Sequence, residues 1–192
     1  MDIIQQGTTL IIQGRRLSGL DLFVCRVLDI LTSYTPYVIV SGYVAILFGR
    51  TRSTEDIDLL IPVCDVSTFL VLHDRFIEPG YEFLNAEDGR GLHAILTSGS
   101  GIRLPKKDTF IPNIEIKFTR NEPDAYSYKN RISLITNDRT FRIGPLEMQI
   151  AYKLWIGSGK DIGDAIYIRE ISRDFIDEDL LRAFCSSFGV NV

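Results

Sequence analysis

Two aspartates alternate with apolar residues in Asp56-Ile57-Asp58-Leu59-Leu60-Ile61, and Pro62 closes the run. The apolar majority and the proline stop predict a buried strand. Side chains two apart on a strand share a face, with Cα atoms roughly 6–7 Å apart at ~3.3 Å per residue. Two carboxylates that close repel, on the order of 4 kcal/mol at ~4 Å and an effective dielectric of 20. A divalent cation resolves the repulsion, and oxygen-only donors suit Mg²⁺ or Mn²⁺. The alternative is a solvated strand face that happens to carry two acids.

What precedes and follows this pair narrows the choice. Tyr37-Val38-Ile39-Val40 reads as a buried strand, Ser41-Gly42 breaks it, and a short helix follows over roughly Tyr43–Phe48. Gly42 thus ends a strand and opens a helix, where bare backbone N–H groups can receive phosphate. Ile114-Glu115-Ile116-Lys117-Phe118 alternates apolar and charged residues, the pattern of a strand with one polar face. If it pairs beside the strand bearing Asp56 and Asp58, Glu115 joins them, and such a trio can hold two metals roughly 3.5–4 Å apart. Otherwise Glu115 is an ordinary exposed residue beside Lys117.

The remaining elements follow from periodicity and punctuation. Ser18-Gly-Leu-Asp21 resembles a capping box opening a helix through Leu31. Asp65–Ile77 is amphipathic and ends at Pro79-Gly80. Tyr81–Leu84 reads as a short strand, and Gly91–Leu96 as a short helix. Ile132–Ile135 and Thr140–Ile143 read as strands joined across Asn137-Asp138. From Pro145 the chain turns helical, over Leu146–Ile156, Asp161–Arg169 and Asp177–Phe188. The order predicts an α/β (α+β) fold: a mixed sheet flanked by helices over residues 1–144, and a helical part packed on it over 145–192.

Composition sets the class. The 192 residues are 45% hydrophobic and 24% charged, as in an ordinary soluble globular protein, with net charge −4. No apolar run reaches the ~18–20 residues of a membrane span, and the first residues do not read as a secretory signal. A cytoplasmic protein with no membrane partner is expected. The acidic total excludes indiscriminate nucleic-acid coating. Counted along the chain, however, the net charge is −5 over 1–100, +5 over 101–160 and −4 over 161–192. The basic middle is either a site for a phosphate-bearing ligand or a solvated surface. Cys25, Cys64 and Cys185 are odd in number and widely spaced, so neither a disulfide framework nor a zinc site is indicated. His73 and His93 form no metal-binding pattern.

Gly42, Ala45, Gly49, Arg52, Thr54, Asp56 and Asp58 together resemble the nucleotidyltransferase superfamily that includes DNA polymerase beta. The likeness is strongest to its minimal and abortive-infection toxin-like branches, whose pattern reads G-[GS], a short helix, then G-x-x-R-x-T-x-D-[IV]-D. The resemblance implies that Asp56 and Asp58 bind metal, with Glu115 as the third acid. It also implies that the Ser41-Gly42-Tyr43 turn holds a nucleoside triphosphate. Lys153, Lys160, Asp161 and Asp164 look like the K-x(6)-K-D-x-x-D segment of the toxin-like branch, whose helical residues face the nucleotide. Lys153 then neutralises phosphate, and Lys160 either does so or pairs with Asp164. Tyr43 departs from the family, which has a second Gly or a Ser there. It either blocks the turn or stacks elsewhere, and Ser41 supplies the missing hydroxyl if the turn is shifted by one residue.

The activity implied is Mg²⁺- or Mn²⁺-dependent transfer of a nucleoside monophosphate from an NTP to a hydroxyl on RNA, a protein or a small molecule. Arg52, Lys153 and Lys160 would offset developing phosphate charge. An antitoxin-like protein partner fits the toxin-like branch. The competing reading is a non-catalytic module that keeps the fold and binds a nucleotide or a protein. A D-x-D glycosyltransferase is a further alternative, disfavoured by the glycine-led helix ahead of the acids.

Overall fold

The computed structural model describes residues 2–191. In chain order the elements are β1 (Asp2–Gln6), β2 (Thr9–Gln13), α1 (Gly19–Leu31), β3 (Val38–Val40), α2 (Gly42–Leu47) and β4 (Asp56–Ile61). Then come α3 (Val66–Ile77), α4 (Gly89–Ser98), β5 (Ile102–Pro105), β6 (Asn113–Phe118) and α5 (Glu122–Lys129). The chain ends with β7 (Ile132–Thr136), β8 (Arg139–Ile143), α6 (Leu146–Ile156), α7 (Gly159–Ile171) and α8 (Glu178–Phe188). This is an α/β chain with mixed strand pairing. No helix among the described residues is long and apolar enough to cross a membrane.

Polar side chains set many of the boundaries. Ser18 and Asp21 form the reciprocal capping box expected from sequence: Asp21 N donates to Ser18 Oγ at 3.2 Å, and Ser18 N donates to Asp21 Oδ2 at 2.7 Å. Asp65 accepts from Thr68 N at 2.8 Å and starts α3, and Asp88 accepts from Gly91 N at 2.8 Å and starts α4. Ser158 and Asp177 cap α7 and α8 in the same way. Asn137 and Asp138 both take positive φ, 48° and 58°, as a two-residue hairpin between β7 and β8 requires.

The contacts divide the chain into two compact units. The first comprises Met1–Arg16, Ile39–Ser53 and Lys129–Val192, and the second Leu17–Val38 and Thr54–Tyr128. The helices of 145–192 are thus grouped with N-terminal strands and α2, and Gly144 lies inside the first unit. In the first unit the strands run β1-β2-β7-β8-β3. The β1/β2 and β7/β8 pairs are antiparallel, while β2/β7 and β3/β8 are parallel. Helices α7 and α8 both pack on α6, and α2 lies against α7. Leu10, Ile12, Phe141, Ile143, Ile150 and Ile168 are buried there.

In the second unit the order is β4-β6-β5. β4 and β6 are parallel and β5 is antiparallel to β6. α3 packs with α1 and α4, and α4 reaches β5 and β6. The core here includes Ile57, Leu59, Phe69, Leu72, Ile114 and Ile116.

Several expectations need correction. Tyr81–Leu84 runs beside β5 without forming a strand: Tyr81 makes one isolated antiparallel bridge to Lys106, Glu82 N donates to Pro105 O at 3.3 Å and Leu84 N to Arg103 O at 3.0 Å. The helix expected over Gly91–Leu96 extends to Gly89–Ser98, since Asp88 caps it two residues earlier. The β1–β2 hairpin and α5 carry no readable hydrophobic period: β1 is mostly exposed, and α5 buries only Ser127.

Candidate active site

The parallel register of β4 and β6 sets Asp56 opposite Asn113 and Asp58 opposite Glu115. In-register partners share a sheet face, so Asp58 and Glu115 stand side by side, with Asp56 two residues earlier on the same face. Ile57, Leu59, Ile114 and Ile116 point the other way and are fully buried, which fixes the register: a one-residue slip would put the carboxylates into the core. Glu115 also has room to lie back, because a Cβ on Gly101 would come within 2.8 Å of its Cγ and Oε1.

A lysine joins the two acids. Lys117 Nζ donates to Glu115 Oε2 at 2.6 Å and to Asp58 Oδ1 at 3.1 Å. The carboxylate side chains are 18% (Asp58) and 16% (Glu115) exposed. Burial raises the Asp58 carboxyl above its ordinary range; the charge of Lys117 opposes this, and the neighbouring Glu115 adds to it. Burial alone would lower Lys117, but the two carboxylates lift it. Asp56 is half-buried, and its backbone carbonyl accepts from Thr54 Oγ1 at 2.8 Å. Among the described residues no three His, Cys, Asp or Glu side chains gather closely enough to hold a metal ion by themselves. The convergence of Asp58 and Glu115 expected from sequence is therefore present, while Asp56 shares their face without completing a three-ligand cage.

The first unit holds a second charged cluster. Asp164 is fully buried and accepts from Lys153 Nζ at 2.8 Å, from Arg52 Nη1 at 2.5 Å and from Arg50 Nη1. Lys153 is 1% exposed and also donates to Asp161 Oδ1 at 2.9 Å. Burial pushes Asp161 up, yet the hydrogen bonds from Ser158 and Lys153 outweigh it and hold the carboxyl below the ordinary range. Three cations face two carboxylates, leaving one positive charge over. The arginines carry the accessible part, with side chains 24% and 15% exposed.

The same unit contains the glycine turn. Ser41 has φ 65° and ψ −143°, a conformation that costs a residue with a Cβ, and its N–H donates to Gln149 Oε1 at 3.0 Å. The Arg52 guanidinium lies against Gly42, where a Cβ would meet its atoms at 2.8–3.1 Å. Arg52 and Gly42 are thus brought together.

The structure bears on three of the sequence readings. Lys153 is not presented to solvent; its ammonium is consumed by Asp161 and Asp164 inside the protein. Lys160 does not pair with Asp164, which is taken by Arg50, Arg52 and Lys153; Lys160 is exposed and its carbonyl accepts from Arg50 at 3.3 Å. Tyr43 is fully buried. Arg50 and Gln149 escaped the sequence reading. The only signal for Arg50 was its position two before Arg52 in a segment otherwise matched to the motif.

No family model matches the chain, and no curated protein sequence matches it. Solved structures do. An antigenic nucleotidyltransferase-like protein from Paracoccidioides brasiliensis superposes with a TM-score of 0.54 at 15% identity, over 86% of this chain and 84% of that one. The antibiotic-resistance factor ANT(2″)-Ia, solved in solution, gives a TM-score of 0.54 at 14% identity over 88% and 90%. A crystal structure of ANT(2″)-Ia in complex with adenylyl-2″-tobramycin gives 0.51 at 15% identity over 88% and 95%. The chain has the fold of the nucleotidyltransferase superfamily.

Proposed function

We propose that the chain transfers a nucleoside monophosphate from a nucleoside triphosphate to a hydroxyl, with Mg²⁺ as the resident cation and a small molecule as the first acceptor class to test. The observation that carries this is the in-register Asp58–Glu115 pair, half-sheltered on the polar face of two parallel strands. The fold supports it, as does the adenylylated small molecule named with one structural neighbour. RNA and protein hydroxyls are the other acceptor classes.

The donor chemistry fits Mg²⁺. The pair offers hard carboxylate oxygens only, and Mg²⁺ is commonly held by one or two carboxylates, with waters and substrate phosphates completing the shell. Asp58 and Glu115 would hold it, with Asp56 beside them; once bound, the cation supplies charge neutralisation and polarisation at the phosphate. The acceptor oxygen attacks the α-phosphorus, the bond from that phosphorus to the bridging oxygen breaks, and pyrophosphate leaves. The hydroxyl proton passes to a carboxylate oxygen of the Asp58–Glu115 pair.

The test is incubation of the protein with each α-labelled NTP, Mg²⁺ and a panel of hydroxyl compounds, RNA and protein. A labelled adduct with matching pyrophosphate is expected, and it should disappear in Asp58→Asn. The lysine closing the carboxylate pair favours a second reading, a nucleotide-binding module without turnover. Tight calorimetric binding of an NTP with no product would select it.

A further inference from the structure

We propose that Lys117 is a tethered counter-ion, holding the Asp58–Glu115 pair in the metal-free protein and competing for it with the divalent cation, so that metal binds firmly only together with the triphosphate. This rests on the reading of that pair as metal ligands. One ammonium donates to both acids, at 2.6 and 3.1 Å. It thereby occupies one oxygen of each, oxygens that a bound cation would also call on. Two cations cannot share those oxygens without like-charge repulsion in a sheltered site. The sum over Asp58, Glu115 and Lys117 is one negative charge, against two for the carboxylates alone, so the lysine halves the charge that attracts a metal.

Lys117 is also able to leave. Its side chain is 38% exposed while both carboxylates are below 20%. A four-carbon stem lets the ammonium swing while the strand-borne acids stay in register. A triphosphate provides the reason to move: its anionic oxygens offer the ammonium other partners and complete the shell of the incoming cation. Lys117 is thus a positioning residue, acting on metal occupancy through Asp58 and Glu115. Two other charged groups bear on it: Arg103, directly across from Glu115 on β5, and Asp124 on α5, which senses the Lys117 charge. Neither closes the pair.

The test uses Mn²⁺ as the probe on the full chain, read by electron paramagnetic resonance and calorimetry without nucleotide. Lys117→Met is expected to bind Mn²⁺ about tenfold or more tightly than the wild type, the worth of one charge-assisted contact removed. Lys117→Arg should bind as weakly as the wild type, and Lys107→Met, which removes an exposed charge elsewhere in the same unit, should change nothing. Adding a non-hydrolysable NTP should close the gap between the wild type and Lys117→Met. Adding Asp58→Asn to Lys117→Met should abolish the gain. Should Lys117→Met fail to fold, Lys117→Gln makes the same comparison.

Equal Mn²⁺ affinity in the wild type and Lys117→Met overturns the proposal, as does a gain that survives Asp58→Asn. If product forms but Mn²⁺ affinity ignores position 117, this inference fails alone. If Mn²⁺ binds as described but no nucleotidyl product forms, the functional reading fails alone. No Mn²⁺ binding in any variant overturns both.

Discussion

Replacing Lys153 by Met distinguishes a phosphate ligand from an interior ion. The ammonium is 1% exposed and hydrogen-bonded to Asp161 and Asp164 at 2.9 and 2.8 Å. Removing one partner of a buried pair costs about 3–5 kcal/mol, because the other charge is left uncompensated. Here the loss sits near the low end, since Asp164 keeps both arginines and Asp161 keeps Ser158. For a chain of 192 residues, a loss of about 3 kcal/mol lowers Tm by roughly 6–12 °C. Thermal melting followed by circular dichroism at neutral pH reads this directly. Lys153→Met with Asp161→Asn should recover part of the loss, because the orphaned carboxylate is then gone. A Tm shift below about 2 °C, with NTP affinity lost, would refute the reasoning and return Lys153 to the phosphate.

Asp58→Asn should leave Tm unchanged or raise it while abolishing transfer. The folded Asp58 carboxyl lies above its ordinary value, so the neutral form is the better tolerated one, and a melt beside a turnover assay checks both halves. Ser41→Gly should stabilise the chain by about 1 kcal/mol, measured by urea titration, because glycine relieves the positive-φ conformation. Stability should fall in acid. Hydrogen bonds from Ser67 and Thr68 hold Asp65 at about 2, and Asp161 is lowered too. Groups depressed on folding stabilise above their unfolded value and lose that contribution as pH falls through the folded one, so the urea midpoint should drop from about pH 4 to pH 2. Asp65→Ala should flatten that drop.

How much was legible in the sequence depended on whether burial wrote a pattern. β4 and α6 appear with the bounds their apolar runs and flanking prolines predict, and Asp58 and Glu115 meet because Ile57, Leu59, Ile114 and Ile116 leave one register available. β1 left no such trace, since both of its faces are largely exposed. Charged residues were legible by type and not by direction. Lys153 and Lys117 read alike as cations near acids, yet one is locked inside by Asp161 and Asp164 while the other is half-exposed on a strand. Tyr43 left two readings open, blocking the turn or stacking elsewhere, because sequence does not show which way a helix faces; its side chain is buried. Asp164, read from sequence only as part of a lysine-and-aspartate segment, is the centre of a three-cation cluster whose two arginines lie more than 100 positions away in the chain.

The central claim is that the Asp58–Glu115 pair supports nucleotidyl transfer. Purified protein incubated with α-labelled NTPs, Mg²⁺ and a panel of hydroxyl acceptors tests it most directly, with Asp58→Asn as the paired control. The account predicts one labelled nucleoside monophosphate adduct, pyrophosphate in equal amount, and neither from the variant. Equal product from Asp58→Asn, or no product from any NTP and acceptor class with a folded wild type, would contradict it.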